Sequence, residues 1–172
     1  MNPMYAVTNG LATFGPEAIA IIQALDDRFL HLADEVDAER VVFPPLMKVN
    51  DLNKLDYFIN FPHLGLAVAG LNQETCDCLT HQNADFEKVS HEHINDSAYM
   101  LPSAACYNVY LHLRDQTLTN ARYYTTVARC FRNENEYNEL RRLWSFQMRE
   151  IVCIGSMDEV QTFLAAYKEK VL

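Results

Sequence analysis

Arginine, glutamate and aromatic residues alternate along two segments between Tyr123 and Gly155, in a pattern that could grip a phosphate beside a flat ring. The first limb, Tyr123-Tyr124-Thr125-Thr126-Val127-Ala128-Arg129-Cys130-Phe131-Arg132-Asn133-Glu134, is rich in aromatic and β-branched residues, which predicts a strand. Period two puts Cys130, Arg132 and Glu134 on one face, with Arg129 and Phe131 on the other. The second limb, Leu143 to Ile154, places Trp144, Phe146, Met148, Glu150 and Val152 on one face. The polar stretch from Asn135 to Arg142 suits an extended turn between them. Two antiparallel strands then raise Arg132, Glu134, Phe146 and Glu150 on one wall. Arginine offers a rigid fork of donors for phosphate, an aromatic face stacks on a purine, and a carboxylate accepts from an exocyclic amine. The same residues also make a plain surface ion pair beside a core phenylalanine, and parity alone leaves both readings open.

A second concentration of reactive side chains lies between Asn72 and Asp96: Cys76-Asp77-Cys78, His81 and His91-Glu92-His93. Thiolates and imidazoles bind zinc, but Cys-x-Cys with scattered histidines is not a usual finger spacing. Other chemistry has little support. Five glycines in the whole chain form no phosphate-binding loop, and no Gly-x-Ser-x-Gly elbow is present. Cys106 has no partner fixed by sequence, so a nucleophile and a buried inert thiol both remain open.

The elements that must position these groups are partly legible. Pro16-Glu17 starts a helix, with proline at a first helical position and glutamate at the positive end of the dipole. Ile19, Ile22, Leu25, Phe29 and Leu32 follow as an apolar stripe at helical spacing. Val41-Val42-Phe43 reads as a strand stopped by Pro44-Pro45. Leu46 to Leu55 suits a short helix, Tyr57 to Leu64 a strand-like course, Asn72 to Asp96 a long loop, and Asp158 to Val171 a helix. These elements predict one α+β domain over residues 1–172, a mainly antiparallel sheet flanked by helices.

Composition bounds the possibilities. Apolar residues make up 49% and charged residues 22%, which excludes a disordered or low-complexity chain. Fourteen Lys and Arg against 23 Asp and Glu give a net charge of -9, which disfavours indiscriminate binding to nucleic acid or anionic membrane. No apolar run approaches the roughly 20 residues of a membrane span, and the first residues have no basic-then-apolar signal. Five cysteines at irregular spacing then read as reduced thiols, and the expected compartment is the cytoplasm.

Phe131-Arg132-Asn133-Glu134 followed by Arg142-x-x-x-Phe146-x-x-x-Glu150 resembles motif 2 of class II aminoacyl-tRNA synthetases. A closer resemblance is to the seryl-tRNA-synthetase-like amino acid:[carrier protein] ligases. It rests on Phe43-Pro44-Pro45 with Tyr57 and Phe61-Pro62-His63-Leu64, on Leu101-Pro102-Ser103-Ala104-Ala105-Cys106-Tyr107, and on Phe146-Gln147-Met148-Arg149-Glu150-Ile151-Val152-Cys153-Ile154-Gly155. It implies a fold like the first part of a class II catalytic domain, with a motif 1 region at about 16–64 and a motif 2 region at about 123–155. It also implies ATP-dependent activation of a small amino acid and its transfer to a carrier-protein phosphopantetheine thiol, without a tRNA-binding arm. In that reading Arg132 holds the α-phosphate of ATP, Glu134 reads the adenine amine, Arg142 reaches the outer phosphates and Phe146 stacks on the ring.

The resemblance further implies zinc held by Cys106 and Glu150, and a homodimer through the motif 1 helix and strand. The family's motif 3, with a second ATP-binding arginine and a third zinc-ligating cysteine, has no counterpart before Leu172. A replacement ligand is expected within the chain: Cys130 by parity with Arg132, or Cys76, Cys78 or His81, whereas Cys153 has the wrong parity. The alternative expectation is a non-catalytic paralogue, a dimeric protein that binds a ligand or regulates a full-length ligase.

Overall fold

The computed structural model describes residues 4–82 and 87–171. The chain opens with a hairpin of β1 (Tyr5–Thr8) and β2 (Leu11–Phe14), then runs into helix α1 (Pro16–Asp34). Strands β3 (Glu39–Arg40) and β4 (Met47–Lys48) precede the short helices α2 (Val49–Lys54) and α3 (Tyr57–Asn60). A 3-10 turn at Pro62–Leu64, strand β5 (Ala67–Val68) and helix α4 (Gln73–Gln82) follow. After a second 3-10 turn at His91–His93 come β6 (Tyr99–Met100), α5 (Tyr107–His112), the long strands β7 (Arg122–Phe131) and β8 (Ser145–Ile154), and α6 (Met157–Val171). The strands form a β1-β2 hairpin, a sheet ordered β3-β7-β8 and a sheet ordered β4-β6-β5. All pairs are antiparallel except β3 with β7. The expected α+β class with a mainly antiparallel sheet is therefore the one observed. Among the described residues no helix is long and apolar enough to cross a membrane.

The β7–β8 hairpin runs through ten paired positions without a bulge. One of its faces packs Tyr123, Ile151 and Cys153 against Phe29 and Leu32 of α1 and Phe163 and Tyr167 of α6. The Tyr167 hydroxyl donates to the Leu32 carbonyl at 2.7 Å, and its ring stacks on Phe163 with centroids 4.3 Å apart. The opposite face packs Tyr124 and Val152 against Val109 of α5, with Val41, Phe43 and Leu113 around them. A separate cluster of Met47, Leu52, Tyr57 and Met100 supports the smaller sheet.

Three segments depart from the sequence expectation. The strand expected at Val41-Val42-Phe43 lies two residues earlier, at Glu39–Arg40. The Val41 amide still donates to the Thr125 carbonyl at 3.0 Å, but Val42 turns out to 89% exposure before the two prolines. Tyr57–Leu64 is not extended. Asp56 takes a left-handed backbone (φ 54°), Phe61 N–H bonds the Tyr57 carbonyl at 2.7 Å, and Pro62 starts a 3-10 turn. Its aromatic composition matches a strand, but burial of the Tyr57 ring against Met47 and Met100 selects helical turns. The expected Asn72–Asp96 loop contains α4, because the Asn72 side chain caps it, its Oδ1 accepting from the Thr75 amide at 2.9 Å. His91-Glu92-His93 forms a 3-10 turn with a capping box on Ser90, and the side chain of His81 lies outside the described residues.

Helix α1 is tied to β8 by a bidentate ion pair. Arg149 Nη2 donates to Asp26 Oδ2 at 2.9 Å, its Nε donates to Oδ1, and its Nη1 reaches Thr125 Oγ1 at 3.2 Å. The Arg149 bond holds the Asp26 carboxyl below its ordinary value of 3.8. A carboxyl lowered in the folded chain contributes its full stabilisation above the unfolded value and loses it as pH falls through the folded one. Asp26→Asn is expected to cost about 1–3 kcal/mol at pH 7 in urea unfolding. That difference should shrink below about pH 4 as the wild-type carboxyl protonates.

Candidate functional site

Pairing of β7 with β8 settles which side chains share a wall. Cys130 lies opposite Phe146, Ala128 opposite Met148 and Thr126 opposite Glu150, so their side chains share the sheet face opposite α1 and α6. Arg132 continues that face one step beyond β7. Its amide donates to the Trp144 carbonyl at 2.9 Å, its Nε donates to the Ser103 carbonyl at 3.1 Å, and its guanidinium lies 5.0 Å over the Phe146 ring.

A cleft of about 510 Å³ opens at this end of the hairpin, lined by Arg132, Glu134, Arg141, Arg142 and Phe146 among others. All four residues expected to contact a nucleotide therefore border one cavity. Arg142 is steadied by Glu136, with Nη1 to Oε1 at 3.0 Å. The connection that carries it turns back sharply: the amides of Arg141 and Arg142 both donate to the Asn138 carbonyl, and Glu139 adopts a left-handed backbone (φ 42°). Arg141 is a charged lining residue to which the sequence assigns no ligand contact, although it stands next to Arg142. Three guanidinium groups around one carboxylate favour an anionic ligand in this cleft.

The β1–β2 turn holds the far side of the connection. Gly10 accepts from the Trp144 amide at 2.8 Å and has φ +76°; a Cβ there would sit 2.5 Å from the Tyr137 ring. Only glycine meets both demands.

Deeper in the wall, Glu150 Oε1 accepts from the Ala105 amide at 2.8 Å and the Cys106 amide at 3.0 Å. The carboxylate thereby fastens the Leu101–Cys106 segment to the sheet. Burial, then the adjacent Glu150 carboxylate, pushes the Cys106 thiol up to about 12. Cys130 is fully buried, and burial followed by Glu150 pushes its thiol up to about 11. Burial also raises the Tyr107 and Tyr110 phenols beside Cys106.

The expected zinc set is not assembled. Cys106 and Glu150 do meet, but Cys130 does not complete them, and among the described residues no three His, Cys, Asp or Glu side chains group as a metal site. Zinc takes three or four donors, and Glu150 Oε1 already serves two amides. Parity had assigned Cys130 the correct face, but a shared face does not fix the distance between donors along it.

No protein-family model matches the chain. It is 34% identical over 134 residues to amino acid--[acyl-carrier-protein] ligases 1 and 2 of Bradyrhizobium diazoefficiens. The match covers 75% of this chain but only 40% and 39% of those proteins, so the chain spans about two fifths of their length. Among solved structures, it resembles M. kandleri SerRS, crystallised with A. aeolicus tRNASec, at a TM-score of 0.81 and 20% identity, covering 96% of this chain and 35% of that one. It also resembles Giardia lamblia prolyl-tRNA synthetase in complex with prolyl-adenylate, at a TM-score of 0.73 and 13% identity, covering 98% of this chain and 32% of that one. The fold is class II synthetase-like.

Thiolate is the reactive form of cysteine. Cys106 and Cys130 should therefore resist iodoacetamide in the folded chain at pH 7.5 and react fully once the chain is denatured, as read by peptide mass mapping. Labelling of native Cys106 at the rate of a free thiol would contradict its burial and, after that, the influence of the adjacent Glu150 carboxylate.

Proposed function

We propose that this chain binds ATP in the Arg132–Phe146 cleft, activates a small amino acid there and passes it to a carrier-protein thiol. The convergence of Arg132, Glu134, Arg142 and Phe146 on one cavity carries the reading. The names of the Bradyrhizobium relatives support the choice of amino acid and carrier protein. In the proposed reaction the amino-acid carboxylate attacks the α-phosphorus of ATP and pyrophosphate leaves. The carrier thiol, losing its proton, then attacks the acyl carbon of the adenylate and AMP leaves.

Arg132 neutralises charge that builds on the α-phosphate, where electrostatic stabilisation is largest. Arg142 and Arg141 meet the outer phosphates, and Glu134 accepts from the adenine amine. The adenine stacks on Phe146. Because the guanidinium lies over that ring, a purine reaches the platform as Arg132 swings toward the phosphates.

A homodimer through α1 belongs to the same proposal. Ile19 and Leu25 of the predicted stripe are 44% and 52% exposed, with Ile21 beside them at 51%, while Leu32 at the other end is buried. Half of the helix thus packs on its own chain and half presents apolar surface. The same face supports the second reading, a dimeric ligand-binding protein without catalysis.

Arg132→Ala is expected to weaken ATP binding by about 1.5–3 kcal/mol, roughly 10- to 150-fold in calorimetric titration. Unchanged affinity would remove Arg132 from the phosphate site. Sedimentation at micromolar concentration is expected to give a dimer, and a Leu25→Asp chain should sediment as a monomer.

A further inference from the structure

Strand β8 has a long edge that no described residue covers. The Arg132 amide donates to the Trp144 carbonyl, so even-numbered residues carry the ladder between β7 and β8, while Thr125 and Phe131 turn their backbone outward to Val41 and Pro102. The same alternation aims the amides of Gln147, Arg149, Ile151 and Cys153 away from β7. Among the described residues nothing bonds them. The opposite edge of this sheet, β3, is 2 residues long, whereas β8 has 10. Sheets shield a long edge with proline, lysine, a bulge or a covering element. Strand β8 has no proline, no lysine and no bulge, and Asp26 neutralises the charge of Arg149.

Apolar surface adjoins that edge. A groove of about 520 Å³ is lined by Phe29 of α1, Ile151 of β8, and Phe163, Leu164, Tyr167 and Val171 of α6 among others. Phe29 and Arg149 also line the cavity that holds Leu25, so the stripe of α1 continues the same surface. Along α6, Met157, Leu164 and Val171 recur every seven residues and are each more than half exposed, which is the spacing of a helix–helix seam. The helix begins acidic, with Asp158 and Glu159, and ends basic, with Lys168 and Lys170. Glu159 is bound to Ser156 and Lys170 to Glu35, which leaves Asp158 and Lys168 without an ion-pair partner among the described residues. A second α6 laid antiparallel on the first brings Asp158 of each toward Lys168 of the other and opposes the two helix dipoles. An open strand edge and a helix of this polarity are each complementary to themselves under a two-fold rotation.

We propose that the β8 edge is the centre of a two-fold interface with a second copy of this chain, β8 pairing antiparallel with β8 and α6 with α6. Centred on Ile151, the strands set Arg149 opposite Cys153 and Glu150 opposite Val152, so no like charges face each other. The two sheets ordered β3-β7-β8 then join edge to edge into one. The inference rests on the homodimer proposed above and assigns its centre; it holds whatever the cleft binds.

The test is amide hydrogen exchange, read residue by residue by NMR at several protein concentrations, with sedimentation of the same samples. The interface predicts a dimer in which the Gln147, Arg149, Ile151 and Cys153 amides slow by roughly tenfold or more as concentration rises through dimerisation. Leu164→Asp, at an exposed position, is expected to weaken the dimer about tenfold or more and to release those amides. Asp158→Lys and Lys168→Asp should each weaken it several-fold, and the double variant should restore it. A dimer whose four β8 amides exchange unprotected at every concentration, or one unmoved by Leu164→Asp, overturns this inference and leaves the α1 contact standing. A different polypeptide that copurifies and protects the same amides would overturn the second copy as occupant. A wild-type monomer at micromolar concentration would sink the homodimer itself. ATP titration of the same samples tests the nucleotide reading separately.

Discussion

The unbroken register of β7 with β8 is the constraint from which the site follows. Ten successive pairs, from Arg122 opposite Ile154 to Phe131 opposite Ser145, divide the hairpin into two faces that cannot be exchanged separately. A slip of one residue would turn Arg149 away from Asp26 and send Glu150 into the helices. The ion pair and the apolar contacts of Ile151 and Cys153 on one side therefore help to hold Phe146 and Glu150 in place on the other. Helix packing and ligand chemistry are two readouts of the same alternation.

The open end of the hairpin is pinned by three successive residues bonding three different segments. The Phe131 amide donates to Pro102, the Arg132 amide to Trp144 and the Asn133 amide to Leu64. The Arg132 side chain then returns to Ser103. Short pieces of irregular backbone, which sequence patterns describe poorly, are thus fixed by a long regular strand. Glu150 extends the principle, since one carboxylate oxygen orders two amides of a segment more than 40 residues earlier in the chain.

This explains what could and could not be read from the sequence. The hairpin was legible because alternation repeats over ten positions, and α1 because Pro16-Glu17 and its stripe agree with one another. Tyr57–Leu64 was misread because its aromatic residues are equally at home in a strand, and the deciding fact, the partners of Tyr57, is tertiary. The cap on α4 was present as Asn72, but a polar, acidic stretch hid it. At the site, parity placed Arg132 and Phe146 on one wall, and the family resemblance added Arg142. Neither could show that Glu150 spends an oxygen on backbone amides.

The cleft gathers three arginines and one aromatic ring, and the proposed function requires that it hold ATP while an amino acid attacks the α-phosphorus there. The most direct measurement is amino-acid-dependent exchange of labelled pyrophosphate into ATP by the purified chain. The account predicts exchange with one or more small amino acids, abolished in Arg132→Ala. ATP binding without exchange for any amino acid would contradict adenylation and leave a ligand-binding protein.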